Sequence, residues 1–437
     1  MAAENRVTVI GAGLAGSEAA WQIAKRGIKV RLFEQKPIKR SPAHKSDGFA
    51  ELVCSNSLRA ADIHSAVGLL KQEMRELDSL VMRAADATRV PAGGALAVDR
   101  EAFSSYITET LEQHENIEVV RGEVTSLPDG GIAIAAPGPL VEGALAQAIS
   151  ELAEGFLSFF DAAAPIVTAE SIDMSKVYFA SRYGKGDGDD YLNCPMDREQ
   201  YHAFWEALTT AETAELHGFE DDKVFEGCMP VETMARRGVD TLRFGPMKPV
   251  GLTMQDGTKP YAVVQLRRED KEGRLYNIVG FQTHLKFGEQ RRVLRMIPGL
   301  ENAEFARYGV MHKNAFVNGP KVLNRYYECK KRPGLYLAGQ ITGVEGYVES
   351  AASGLLAALC AVCDVLGQPR PDFSRDTAMG ALAGYVSGYA GADFQPMNIT
   401  YGLINTVKAK SKSDRKRMVA ERALAEVRRI AAGLPGA

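Results

Sequence analysis

The chain has 437 residues, of which 46% are hydrophobic, and its formal net charge is −3. This length suits two or three domain-sized units, or one large α/β domain with an insertion. The weakly acidic total excludes a protein that is basic all over, so any surface for a polyanion must come from a local cluster of charge.

Six cysteines are scattered along the chain without the dense spacing of a disulfide framework. Free thiols are typical of a reducing compartment, and no charged segment followed by an apolar one opens the chain, so we expect a cytoplasmic protein. Cys360 and Cys363 have CxxC spacing but lie in an apolar, helix-like run without a second pair. We interpret them as buried small residues, expect no metal site, and expect no membrane span, since no run of about twenty apolar residues occurs.

The N-terminal segment predicts a strand, a turn, a helix and a second strand. Residues 7–10 form an apolar run typical of a buried parallel strand, residues 17–27 fit a helix, and residues 29–33 fit the next strand. Two parallel strands joined by a helix form the βαβ unit with which dinucleotide-binding sheets begin.

A glycine fingerprint occupies the turn of this unit, where Gly11, Gly13 and Gly16 have the GxGxxG spacing. One glycine permits the tight turn, one lets the backbone approach a pyrophosphate, and one allows close packing of helix on strand. Glu34, at the end of the second strand, can accept hydrogen bonds from ribose hydroxyls. An ordinary glycine turn is the alternative, but strand, helix and acid together favour a dinucleotide site.

A second glycine-rich turn follows a predicted strand at residues 334–339 and precedes a helix that starts near residue 346. Such a helix would aim its N-terminus at the pyrimidine edge of a flavin, where the reduced ring is negative. This favours FAD as the cofactor, although a turn that only packs against the first unit is the alternative. The candidate cofactor-binding residues here are Gly339, Gln340, Gly343, Gly346 and Tyr347.

The rest of the chain indicates a discontinuous domain with an insertion. Helices are predicted at residues 64–84 and 99–114, and strands at 117–120, 132–135 and 165–168. A Gly/Asp loop at residues 184–190 begins a more charged stretch. We predict an α/β fold in which residues 1–183 and 305–437 form a Rossmann-like, glutathione-reductase-type FAD-binding domain and residues 184–304 form an inserted α+β domain.

Two cysteines have polar surroundings that contain arginine. Cys54 lies in ELVCSNSLR, and Cys228 lies in EGCMPVE shortly before Arg236 and Arg237. Nearby arginines lower a thiol pKa, and a thiolate can attack an electron-poor ring carbon. Packing is the alternative role for each cysteine, and spacing and composition do not show whether the two thiols meet.

A basic cluster lies near the C-terminus, ahead of a predicted helix. It comprises Lys408, Lys410, Lys412, Arg415, Lys416 and Arg417. Clusters of this kind attract phosphate backbones, and a solvated charged helix is the alternative.

Across nearly its whole length, the sequence resembles the bacterial family of folate- and FAD-dependent tRNA uracil-5-methyltransferases. The matching strings are VIGAGLAGSEAA (9–20), AELVCSNSLR (50–59), FEGCMPVE (225–232), FGPMKPVGL (244–252), IPGLENAEF (297–305), YGVMHKN (308–314), GQITGVEGYVES (339–350) and FQPMN (394–398). Several of them are specific to this family and are not shared by flavoproteins at large.

The resemblance implies transfer of a methylene group from 5,10-methylenetetrahydrofolate to carbon 5 of the T-loop uridine of tRNA. Reduced FAD supplies the electrons, NADH or NADPH reduces the flavin, and 5-methyluridine is the product. It also implies that Cys228 is the nucleophile at carbon 6 and that Cys54 handles the carbon-5 proton or forms a covalent carbon or flavin adduct, with the reverse assignment open. Arg236, Arg237 and the basic cluster become candidate tRNA contacts.

Three other functions are compatible with parts of the sequence. A larger flavoprotein that builds carboxymethylaminomethyl groups on the wobble uridine of tRNA shares the second glycine-rich turn, but its extra C-terminal helical domain would not fit in this chain. A non-catalytic protein that binds FAD or tRNA is the other alternative. A plain flavin oxidoreductase would turn over NAD(P)H without any dependence on tRNA.

Overall fold

The computed structural model describes residues 6–214, 229–254 and 256–436. Its strands are β1 (Arg6–Ile10), β2 (Lys29–Glu34), β3 (Ser57–Ala60), β4 (Arg89–Val90), β5 (Ala95–Val98), β6 (Ile117–Arg121), β7 (Ala133–Ala135), β8 (Leu157–Ala162), β9 (Ile166–Thr168), β10 (Tyr178–Phe179), β11 (Tyr191–Met196), β12 (Ala262–Arg268), β13 (Leu275–Ile278), β14 (Phe305–Arg307), β15 (Met311–Phe316) and β16 (Leu335–Leu337).

The helices lie between and after these strands. They are α1 (Leu14–Ala24), α2 (Ala66–Glu76), α3 (Leu80–Ala87), α4 (Arg100–Glu112), α5 (Gly143–Ala153), α6 (Arg198–Thr210), α7 (Val231–Arg236), α8 (Thr241–Phe244), α9 (Phe287–Leu294), α10 (Gly319–Val322), α11 (Tyr347–Leu366), α12 (Ala378–Gly388) and α13 (Lys412–Ala432).

A parallel sheet carries the first βαβ unit. Within the described residues its strands lie in the order β16-β7-β1-β2-β6, and every neighbouring pair is parallel. Strand β1 lies in the middle of the sheet. β2 lies on one side of it, and β7, which comes later in the chain, lies on the other side. A cleft therefore opens at the carboxyl end of β1, where such sheets bind their ligands.

An antiparallel sheet forms a second layer with its own apolar core. Its described strands lie in the order β10-β11-β12-β13-β9-β14, and α6, α7 and α9 contribute side chains to that core. The prediction of a Rossmann-like sheet combined with an α+β part is confirmed. The boundaries at residues 184 and 304 stay a prediction, while the antiparallel sheet itself runs from β9 to β14.

The long helix α11 is the centre of the parallel-sheet core. Its residues Ala351 to Val362 are buried, and Gly354 lies so close to α1 that a Cβ there would be 2.1 Å from the carbonyl oxygen of Ala15. Cys360 and Cys363 are buried on this helix, as predicted. By length and hydropathy α11 could cross a membrane, but 89% of that stretch is buried inside the protein, as in a core helix.

The structure refines three local predictions. The helix predicted over residues 64–84 is broken into α2 and α3, because Asp78 takes a left-handed backbone with φ +59° and Ser79 then caps α3 by accepting from Met82 N–H. The first helix begins at Leu14 and not at residue 17, since Gly13 is its N-cap. The strand predicted at 165–168 exists as β9 but belongs to the antiparallel sheet.

Candidate active site: a glycine-lined cleft beside Cys54

A cleft of about 1400 Å³, a volume that includes open solvent at its mouth, lies at the carboxyl end of the parallel sheet. Its walls come from the turn after β1, the end of β2, the loop after β7 and the start of α11. Gly11, Gly13, Glu34, Gly339, Gln340 and Tyr347 line it. The structure thus brings the two glycine-rich turns of the sequence to one site.

The three glycines of the first turn have different surroundings. A Cβ on Gly11, where φ is +93°, would lie 2.3 Å from the carbonyl oxygen of Ala136, and one on Gly16 would lie 1.7 Å from that of Gly11. A Cβ on Gly13 would meet no atom within 4 Å. Gly11 and Gly16 therefore serve packing, whereas Gly13 leaves open space at the start of α1 for an approaching ligand.

Glu34 is buried at the end of β2 and faces this turn. One carboxylate oxygen accepts the backbone N–H of Ala12 at 2.9 Å, and the other accepts that of Lys36 at 3.0 Å. Each carboxylate oxygen has a second acceptor site. The carboxylate is therefore held in place at the cleft and can still accept from a ribose hydroxyl.

The second turn takes its shape from glycines with positive φ. Gly339, Gly343 and Gly346 have φ values of +86°, +92° and +106°, a backbone that other residues rarely adopt. The Gln340 amide donates to the Glu345 carboxylate at 2.5 Å. Burial raises the pKa of Glu345, and the nearby Asp161 charge raises it further, so this carboxyl favours the protonated form.

Tyr347 connects the cleft to Cys54. It is the first residue of α11, and its hydroxyl oxygen accepts the backbone N–H of Cys54 at 2.7 Å and that of Ser55 at 3.2 Å. The Cys54 thiol donates to the carbonyl oxygen of Ala162 at 3.6 Å. Cys54 is thus held between the start of α11 and the end of β8.

Further side chains fix the loop that follows Cys54. Arg59 forms an ion pair with Glu349, whose side chain is fully buried one turn into α11. From the other side, the Arg267 guanidinium donates to Ser55 Oγ at 2.8 Å and to Asn56 Oδ1 at 3.0 Å. The loop is therefore held between the core helix and strand β12.

The charge environment corrects one expectation. Burial raises the pKa of the Cys54 thiol well above its ordinary value, and Asp161 raises it further, while Arg100 and Arg307 act in the opposite direction without prevailing. Nearby arginines do act to lower this pKa, as expected, but the predicted thiolate is not favoured, because burial outweighs them. Cys54 is thus held as a protonated thiol in the free protein.

Cys228 lies outside the described residues, so its predicted role stays a prediction. The described residues on either side of that gap both bond to one short stretch: Ala214 N–H donates to His284 O at 2.8 Å, and Val231 N–H donates to Gln282 O at 2.7 Å. Thr283 N–H donates to Ala163 O at 3.4 Å, one residue beyond the carbonyl that accepts from Cys54. The flanks of the Cys228 segment therefore lie near the Cys54 loop.

The candidate tRNA contacts lie on two different units. Arg236 and Arg237 are exposed at the end of α7, which packs in the antiparallel-sheet core, whereas α13 packs its apolar face in the parallel-sheet core. Of the basic cluster, Lys408, Lys410, Lys412, Arg415 and Arg417 are exposed, and Lys416 is half-buried over the Tyr401 ring. Both groups are accessible to a large partner.

Several residues at the site were missed by the sequence reasoning. Lys36 and His44 line the cleft, and burial lowers the pKa of each. Asp161 and His312 face each other across the β8–β15 pair, beside the Cys54 loop. The only sequence feature that pointed to Lys36 and His44 was the closeness of Lys36 to Glu34 along the chain. No local sequence feature pointed to Asp161 or His312. Among the described residues, no group of three or more His, Cys, Asp or Glu side chains could hold a metal ion.

Known proteins similar to this chain identify its family. The family model described as "Glucose inhibited division protein A" matches residues 6–369. A methylenetetrahydrofolate--tRNA-(uracil-5-)-methyltransferase TrmFO of Acetivibrio thermocellus is 60% identical over 413 residues, which cover 94% of each chain. The protein of the same name from Desulfitobacterium hafniense is 59% identical and covers 96% of this chain and 97% of its own.

Among solved structures, GidA of Aquifex aeolicus has the same fold. Its form II crystal structure matches with a TM-score of 0.72 and 17% identity, covering 98% of this chain and 73% of that one. Because the identity is this low, the match supports a shared fold and no conclusion about function. The family model and the relatives near 60% identity together establish that this chain belongs to the methylenetetrahydrofolate--tRNA-(uracil-5-)-methyltransferase family.

Proposed function

We propose that this protein transfers a methylene group from 5,10-methylenetetrahydrofolate to carbon 5 of the T-loop uridine of tRNA and completes it to 5-methyluridine. The observation that carries the proposal is identity near 60% with enzymes named for this reaction, over at least 94% of both chains. The cleft beside Cys54 supports it, since a ligand site and a thiol lie together there.

The residues of the cleft fit FAD. Gly13 leaves room at the start of α1 for a pyrophosphate, and Glu34 can accept from a ribose hydroxyl. Gly339, Gln340 and Tyr347 lie on the opposite wall, at the start of α11, and suit the ring end of the cofactor. Bound FAD would supply the electrons that convert a methylene into a methyl group, with NADH or NADPH as its reductant.

The two cysteines suit different steps. Carbon 5 of uracil becomes nucleophilic once a thiolate has added at carbon 6, and we assign this addition to Cys228. The carbon-5 proton must then leave. Cys54, whose thiol is fixed by Ala162 and whose backbone is fixed by Tyr347, is our candidate for handling that proton.

Because the raised pKa of Cys54 keeps its thiol protonated in the free protein, we expect it to work as a proton carrier whose thiolate exists only within the reacting complex. Asp161 adds negative charge around it, and Arg100 and Arg307 add positive charge. This balance suits a group that exchanges a proton, whereas a nucleophile at carbon 6 requires a stable thiolate.

The tRNA must present its uridine outside the stacked loop, which costs a few kcal/mol. We propose that Arg236, Arg237 and the basic cluster at residues 408–417 offset this cost through phosphate contacts. A variant with the cluster reversed in charge should bind tRNA more weakly and with a shallower salt dependence. Unchanged affinity and salt dependence would remove the cluster from the proposal.

We also propose that the reaction takes place in the cytoplasm.

The test is a transfer assay with the full chain. Purified FAD-loaded protein, NADPH or NADH, methylenetetrahydrofolate labelled in the methylene group and unmodified tRNA are incubated, and the digested tRNA is analysed for labelled 5-methyluridine. We expect label in wild type and none in Cys228→Ala. A wild type with full FAD content that transfers no label, with S-adenosylmethionine absent throughout, would contradict the proposed function and leave a flavoprotein with another substrate.

A further inference from the structure

Three aromatic rings form a stack at the edge of the antiparallel sheet. Tyr308 lies between Phe287 and Phe305: its ring centroid is 4.9 Å from the first at an interplanar angle of 23°, and 5.1 Å from the second at 15°. These are offset-stacked geometries. We call Phe287, Tyr308 and Phe305 the aromatic ladder.

The outer rung of the ladder is open to solvent. Phe287 is 57% exposed, although it is a large apolar side chain. Phe305 and Tyr308 are half-buried beneath it. More than half of the outermost residue is therefore open to solvent in the described part of the protein, and a planar group could extend the stack there by one layer.

The ladder is rigid because the buried Gln290 side chain links helix α9, which carries Phe287, to the chain segment that carries Tyr308. Gln290 is fully buried on α9 and bonds to both sides of the backbone of Gly309, donating to its carbonyl at 2.9 Å and accepting its N–H at 2.8 Å. Gly309 follows Tyr308 directly. Arg291 also donates to the Tyr308 hydroxyl at 2.9 Å. A platform fixed in advance loses little entropy when it binds.

The surroundings of the ladder are positively charged. Residues 286–295 contain four basic side chains (Lys286, Arg291, Arg292 and Arg295) and one acidic side chain (Glu289). Arg292 pairs with Glu289 and Lys286 pairs with Glu212, whereas Arg291 and Arg295, among the described residues, form no ion pair with a carboxylate. An exposed ring beside uncompensated positive charge suits a planar group attached to a polyanion.

The ladder also lies close to the reaction site. Arg307, the neighbour of Tyr308, is near enough for its charge to lower the pKa of Cys54. A Cβ on Gly309 would be 2.8 Å from the carbonyl oxygen of Ala163, the residue after the one that accepts from the Cys54 thiol. The flanks of the Cys228 segment bond to residues 282–284, just ahead of Phe287.

We propose that the aromatic ladder is a stacking platform for an unpaired base of the tRNA substrate, next to the uridine that reacts. This inference rests on the proposed function, because it takes the polyanion to be tRNA. Unstacked bases of RNA loops are commonly bound on aromatic faces. The tRNA loop loses stacking contacts when the target uridine leaves its stack. A base stacked on Phe287 replaces part of these contacts.

The test measures tRNA affinity by titration of the FAD-loaded protein with unmodified tRNA that carries 2-aminopurine beside the target uridine. Phe287→Ala should weaken binding about 10-fold and reduce the quenching of 2-aminopurine, since a base–aromatic stack contributes on this scale. Phe287→Trp should retain both. The slope of affinity against salt should not change in either variant, because no phosphate contact is lost.

Phe179→Ala is the matched control. Phe179 is also an exposed phenylalanine, at 40%, but it lies on β10, at the opposite edge of the same sheet from β14. It should bind tRNA like wild type. Wild-type affinity and quenching in Phe287→Ala would overturn the platform while leaving the proposed function intact.

Two other outcomes also decide the matter. If Phe287→Ala raised the KM for methylenetetrahydrofolate and left tRNA affinity unchanged, the ladder would hold the pterin and not a base, and the proposal would be wrong. If the wild-type protein did not bind tRNA at all, the platform and the proposed function would both be wrong.

Discussion

The glycine-lined cleft and the Cys54 loop meet at Tyr347, but different parts of the chain build them. Backbone atoms shape the cleft: Gly11 and Gly16 permit contacts that no side chain would allow. Side chains hold the Cys54 loop, through the Tyr347 hydroxyl and the Arg59–Glu349 ion pair. A substitution that adds atoms should therefore damage the cleft most, whereas one that removes atoms should damage the loop most.

The largest effect is expected at Gly16. In Gly16→Ala the new Cβ would be 1.7 Å from the carbonyl oxygen of Gly11, so α1 must move away from β1, at a cost of about 3 kcal/mol or more. We expect loss of bound FAD and a clear drop in the free energy of unfolding, measured by denaturant titration and flavin absorbance.

Gly13→Ala is its control, because a Cβ there meets nothing within 4 Å. It should fold with nearly wild-type stability and bind FAD more weakly, since the methyl group takes space left for the ligand. Equal losses of stability in the two variants would contradict the division between packing glycines and a ligand-facing glycine.

The next effect is expected at the ion pair of the Cys54 loop. Arg59→Ala leaves the fully buried Glu349 without its ion-pair partner, although the Ile399 N–H still donates to it. Because the Arg59 side chain is 38% exposed, we expect a cost of about 2 kcal/mol, below that of a fully buried pair. The double variant Arg59→Ala, Glu349→Gln should recover much of this stability, because the buried charge is gone. Measured unfolding free energies should show this coupling, and strictly additive losses would argue against the pair.

A smaller effect is expected in Tyr347→Phe. The variant removes the acceptor of two backbone N–H groups, those of Cys54 and Ser55, which costs about 1–2 kcal/mol where water can partly replace it. FAD content should stay high, because the ring remains in the cleft wall. Methyl transfer should fall more than stability, since Cys54 loses its position. A variant with wild-type transfer rates would show that this contact does not position Cys54.

The smallest expected effect is on the pH dependence of Cys54 alkylation. Because the pKa of Cys54 is raised in the folded protein, its thiolate fraction between pH 7 and pH 9 should be far below that of an ordinary cysteine with a pKa of about 8.5. Alkylation of Cys54 by iodoacetamide in Cys228→Ala, followed by peptide mapping, should be slow and should keep accelerating above pH 9. A plateau near pH 8.5 would mean that the thiol is not desolvated.

The two regions also differ in how far the sequence predicts them. The fingerprint at Gly11, Gly13 and Gly16 is local, and its spacing encodes a turn between a strand and a helix, so the fold and the cleft could be predicted. The contact between Cys54 and Tyr347 joins residues 293 positions apart, and Arg59 and Glu349 are 290 apart. No local pattern contains such pairs, and for the same reason the pKa of Cys54 was predicted in the wrong direction.

The aromatic ladder shows the same limit. Phe305 and Tyr308 lie in two of the strings that carry the family resemblance, and Phe287 lies in none of them, but the stacking of the three rings depends on the bonds between Gln290 and Gly309. The family resemblance rested on those strings, and it identified the family without revealing the platform. Local spacing thus predicts helices, strands and turns, whereas tertiary contacts determine which side chains lie together.

The most direct test of the central claim uses tRNA tritiated at carbon 5 of its uridines, with wild type, Cys54→Ala and Cys228→Ala side by side. Methyl transfer replaces that hydrogen, so we predict that wild type releases tritium and that Cys228→Ala neither releases it nor forms a covalent tRNA–protein adduct on a denaturing gel. Cys54→Ala should retain the adduct and release tritium far more slowly. Adduct and full tritium release in Cys228→Ala would contradict the account.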